Sequence, residues 1–117
     1  MSLIVALTAA LALSAPPADL SDLKPADRAD LQCMTLVVAA MGASEDLEAA
    51  AGLASGATFY YGRLQGRTPG TDWLARLAAY ARTEPGESLE ANRQRCAQEM
   101  QTLSEAFTSM GTSMQGS

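Results

Sequence analysis

The first apolar block runs from Leu3 to Leu13, LIVALTAALAL, eleven residues without a charge. That is too short to span a bilayer and suits the apolar core of a secretion signal. Small residues and the break Ala15-Pro16-Pro17-Ala18 follow it. Residues 1–18 are therefore expected to be a cleaved signal peptide with a short proline linker, cut after Ala12 or Ser14. A buried apolar helix is the alternative.

Beyond the linker the apolar positions take on helical spacing. A first helix is predicted from Pro25, whose fixed φ suits a first turn, to Gly42 in a C-terminal cap position. Leu31, Met34, Val38 and Met41 make its stripe, with Cys33 and Val37 beside it, while Asp27, Arg28 and Asp30 are expected to face water. Ser44 can cap a second helix running to about Leu64, with Glu45 and Asp46 placed well against its dipole. Its middle, AAAGLASGA, is rich in small residues. Gly52 and Gly56, one turn apart, would let a neighbouring backbone approach.

Gly66-Arg67-Thr68-Pro69-Gly70-Thr71 reads as a turn. After it, Asp72 to Arg82 gives a short helix with Trp73, Leu74, Leu77 and Ala81 apolar, ended by Thr83-Glu84-Pro85-Gly86. A last helix is predicted from Ser88 to about Met110. Leu89, Cys96, Met100, Leu103, Phe107, Met110 and Met114 are spaced along it as a heptad-like stripe. No run of period two and no internal repeat appears. The fold class is all-α, a four-helix bundle over residues 19–110, with 111–117 a flexible tail.

Cys33 and Cys96 are the only cysteines. In a small exported chain they are most simply one disulfide, which would clamp the first helix to the last, with redox sensing or an intermolecular bridge as alternatives. A chain without histidine offers no ready zinc shell, and no CxxC pair is present. No metal or cofactor is expected.

All thirteen acidic and eight basic residues lie after Pro17, so export would leave the net charge at −5. That balance disfavours nucleic acid, whose binding rests on Lys and Arg. No stable membrane anchor is expected, since no cysteine closely follows the apolar core to carry a lipid. A partner, if any, would be another protein, and the sequence sets no oligomeric state.

The densest aromatic and cationic segment is Phe59-Tyr60-Tyr61-Gly62-Arg63-Leu64-Gln65-Gly66-Arg67. On a helix, Tyr60, Arg63 and Arg67 share a face, and two guanidinium forks beside a phenol could hold a carboxylate, a phosphate or a partner. The plainer reading has the arginines complementing the helix C-terminus and pairing with acidic neighbours, while Phe59 and Tyr61 fill core. Met110 and Met114 are candidates for an apolar contact, because the methionine stem is flexible and polarisable. Met100 and Phe107 read as core. Without histidine no Ser-His-Asp or Cys-His arrangement can form, and no phosphate-binding glycine motif is present, so no enzyme activity is expected.

Cys33, the segment FYYGRLQGRTPG, and Cys96 followed by a Met-rich helix together resemble a group of small, uncharacterised, two-cysteine secreted helical proteins of alphaproteobacteria. In layout the chain is also loosely similar to the periplasmic acid-stress chaperones, which are lysine-rich where this chain has Lys24 alone. The resulting expectation is a periplasmic or secreted, non-catalytic binding or chaperone-like protein. The alternative is a periplasmic inhibitor or immunity-type partner, with a small enzyme the weakest reading.

Overall fold

In the computed structural model, which describes residues 20–84 and 86–116, Pro25 opens the first helix, α1 (Pro25–Ala43). Its missing N–H falls where a helix has no acceptor for one. The expected leader lies outside the described residues. Gly42 stays within α1, and the cap is Ser44, whose N–H bonds the carbonyl of Met41. Ser44 thus ends one helix rather than starting the next. Asp46 caps α2 (Leu47–Arg67) by accepting from the Glu48 N–H at 3.1 Å.

The turn after α2 uses Gly70 at φ 84°, in the left-handed region that glycine enters without a Cβ clash. Asp72 then caps α3 (Trp73–Thr83), accepting from the Ala75 N–H at 3.1 Å. The face α3 buries is Trp73, Ala79 and Tyr80, with Leu77 partly covered. Leu74, expected on that face, is 62% exposed, and Ala81 is exposed too. Positions 73, 77 and 80 follow the helical repeat, and 74 stands one residue around from them.

The last predicted helix is divided. A short α4 (Gly86–Glu90) is followed by a turn at Ala91-Asn92 and then α5 (Arg93–Gln115), which runs past the expected end near Met110. Asn92 makes the break: its amide donates to the Ser88 carbonyl at 2.9 Å, tying the new helix back onto the preceding turn. The described residues are all-helical, a four-helix arrangement with α4 as its short extra turn.

α1 and α2 form an antiparallel pair, with Asp27 near Arg67 and Val37 near Gly56. α5 meets both near its start, where Cys96, Glu99 and Met100 lie, and is fastened by the disulfide between Cys33 and Cys96, which joins the first and last helices. The core lies around this bridge, where Leu31, Met34, Val37, Tyr60, Leu64, Trp73 and Tyr80 pack together.

Candidate functional site

Tyr60, Arg63 and Arg67 do share a face of α2, and that face is turned onto α1 and α5. Arg67 reaches two carboxylates of α1, with Nη1 2.7 Å from Asp27 Oδ1 and Nη2 2.9 Å from Asp30 Oδ2. Arg63 Nε adds a contact of 3.2 Å to Asp30 Oδ2, and the Thr68 hydroxyl donates to Asp27 Oδ2 at 2.7 Å. Asp27 and Asp30, expected to face water, are only 2% and 1% exposed. Two guanidinium forks let them be buried, since a buried charge must be both paired and hydrogen-bonded.

Burial pushes the Asp27 carboxyl upward, but hydrogen bonds from Thr68 and Arg67, with the charge of Arg67, outweigh it and hold the group below the ordinary carboxylate range. The same two carboxylates raise the pKa of Arg67.

Tyr60 is fully buried, whereas Tyr61, expected in the core, is 37% exposed. The reason is phase. Tyr60 lies four residues from both Gly56 and Leu64, the other buried positions of α2, and Tyr61 is rotated off that line. The Tyr60 hydroxyl lies 3.0 Å from Glu99 Oε1 and 3.2 Å from the Cys96 carbonyl, so its proton is directed onto α5. Burial, then the hydrogen bond to Glu99 and its charge, push its pKa well above the usual phenol value. Phe59 is partly buried and carries the Arg63 guanidinium over its ring at 5.1 Å. Arg95 completes the cluster, donating to the Ala29 carbonyl, Gln32 and Asn92 at 3.2–3.3 Å and lying 3.6 Å from Glu99. Asp27, Asp30 and Glu99 are thus matched within the chain by Arg63, Arg67 and Arg95. Sequence reading placed the arginines and missed their carboxylates. The available signal was two acids three residues apart on α1 opposite two arginines four residues apart on α2.

The apolar candidates lie at the other end. Past Met100 a groove of about 800 Å³ opens between α5 and α2, with Gly52, Gly56, Phe59, Met100, Leu103 and Phe107 among its lining residues. Met110 and Met114 continue the same stripe and are 60% and 70% exposed. Phe107, expected in the core, is 68% exposed, because no residue of α1 or α3 lines this groove and the α2 wall there includes the small residues Gly52, Ser55 and Gly56. The two glycines differ in use. A Cβ at Gly56 would overlap the Met100 methyl, so the close approach there is by a side chain and not a backbone, while a Cβ at Gly52 would meet nothing within 4 Å.

Among the described residues no helix is long and apolar enough to cross a membrane, and no group of three acidic or thiol ligands is gathered for a metal. Comparison with known proteins finds no matching family model, no matching curated protein and no matching solved structure.

Proposed function

We propose that this chain is a non-catalytic, chaperone-like binding protein of the periplasm or cell exterior, which takes apolar protein segments into the groove between α2 and α5. The observation that carries the reading is the groove itself, an apolar cleft with Leu103 and Phe107 on one wall and Gly52 and Ser55 on the other. Covering an exposed side chain such as Phe107 is worth about 1.5–3 kcal/mol, so a segment laid there gains from each apolar contact. Methionine suits the role because its stem reshapes to unlike partners. The Cys33–Cys96 bridge supports an oxidising compartment.

The test is light scattering from two unrelated proteins aggregating with and without the oxidised chain, beside a Ser55→Arg variant that places a cation on the α2 wall. Suppression by the wild type and its loss in the variant are expected. Aggregation that proceeds unchanged in the presence of wild type rejects the reading.

A further inference from the structure

Peroxide oxidises sulfur in preference to most other side-chain atoms, and among sulfurs it takes those that solvent reaches. In this chain most of them are withdrawn. Cys33 and Cys96 are joined in the disulfide, and no free thiol stands among the described residues. Met34 is 1% exposed in the core, while Met41 and Met100 are partly buried against it. Met110 and Met114 differ. Both are mostly exposed, and four positions apart they share one face of α5, about a turn from each other.

We propose that Met110 and Met114 form an oxidant-modification site, at which hydrogen peroxide converts the two thioethers to sulfoxides and weakens the hold of the α2–α5 groove on apolar segments. The site follows from access to sulfur, and the effect on binding rests on the reading of the groove as a binding site.

The chemistry is an oxygen-atom transfer. A thioether lone pair attacks one peroxide oxygen, an S–O bond forms as the O–O bond breaks, and the departing hydroxide takes the proton of the transferred oxygen to leave as water. Sulfur loses two electrons and peroxide gains them.

Position decides what the new oxygen does. At Met34 it would lie inside the core, where burying a polar group without a partner costs stability. At Met110 and Met114 it meets water, so the helix can carry it with the fold intact. Its effect falls on whatever covers that face. Met110 stands three residues beyond Phe107, which lines the groove, and side chains so spaced on a helix have Cβ atoms about 5–6 Å apart. An apolar segment that covers Phe107 and continues along the stripe must then cover a sulfoxide, and it brings no hydrogen-bond donor to it. The flexible apolar stem that suits unlike partners has become a polar one.

The experiment treats the chain, with its bridge intact, with hydrogen peroxide and follows each methionine by peptide mass spectrometry, helix content by circular dichroism, and aggregation protection by light scattering. Sulfoxide should form at Met110 and Met114 at least roughly tenfold faster than at Met34, with Met41 and Met100 between. Helix content should stay unchanged, and protection should fall several-fold once both sites carry oxygen. A Met110→Leu, Met114→Leu chain, whatever its starting protection, should protect equally before and after the same treatment. Oxidation of Met34, Met41 or Met100 as fast as Met110 overturns the site. Protection that survives full conversion at both positions overturns the effect on binding, as does a double variant that loses protection to the same extent as wild type. An untreated wild type that protects nothing rejects the binding function and the effect on it together, while the order of oxidation still decides the site.

Discussion

The two ends of the α2–α5 pair bury their residues in opposite ways. Where α2 finishes, Tyr60, Leu64 and Arg67 are covered by α1, by α3 and by the start of α5, and the contacts include a disulfide and the cluster of acids and arginines. Toward the start of α2 the residues are small, a groove opens between it and α5, and Phe107, Met110 and Met114 are largely exposed. The difference separates two tasks along one pair of helices. Stability is concentrated at the closed end, leaving the open end few contacts to lose when something binds there.

The largest effect should come from removing the bridge. Cys33 and Cys96 are 63 residues apart, and opening a loop of that size costs about 4 kcal/mol in the chain-entropy account. A Cys33→Ala, Cys96→Ala chain should melt lower by on the order of 20 °C. Hydrogen exchange should show α5 losing protection before α1 and α2. If the drop is only a few degrees, the closed end is held by packing and ion pairs without the bridge, and the contrast weakens.

Next in size is Arg67→Met. It leaves Asp27 and Asp30 buried with a shared counterion gone, although Thr68 still bonds one and Arg63 the other. Breaking a buried pair by removing one partner costs about 3 kcal/mol, read as a loss of denaturant midpoint. The same cluster gives the fold an acid limit. Asp27 titrates below its unfolded value in the folded chain, so its contribution is complete above about pH 4 and is lost as pH falls through the lower, folded value. Melting temperature plotted against pH should therefore fall in acid, and Asp27→Asn should make that fall shallower. An identical acid slope in the variant would show that the closed end does not depend on this carboxylate.

The closed end was partly legible in the sequence. Pro25 and the turn Gly66 to Thr71 were read from local chemistry, which needs no partner helix, while Asp72, taken as the first helical residue, is the cap of α3. The pairing of Cys33 with Cys96 followed from there being no other cysteine. Asp27 and Asp30 were misread because a carboxylate looks solvated until its guanidinium is found, some forty residues on. Tyr60 was misread for its neighbour because three aromatics in a row leave the buried one to be set by helix phase. At the open end the stripe from Met100 to Met114 was legible as a pattern, with Met110 and Met114 set apart as contact candidates, but the exposure of Phe107 was not. A heptad says that a helix face wants cover, and only the fold shows how much of it remains exposed, as at Phe107.

The smallest effect tests where one end gives way to the other. Gly52 and Gly56 lie one turn apart in α2, and alanine at either should gain roughly 0.5–1 kcal/mol from helix propensity. At Gly52 the new methyl meets nothing within 4 Å, so the gain should appear in full as a slightly higher melting temperature. At Gly56 it meets the end of Met100, which must swing aside. A thioether stem does so with little strain but gives up its contact with α2, and the two terms should nearly cancel. If Gly56→Ala stabilises as much as Gly52→Ala, Met100 does not press on α2 and the open end begins one turn nearer the disulfide. If it instead lowers stability by about 2 kcal/mol, in the range of core overpacking, Met100 is locked in place and the packed region extends further toward the arm.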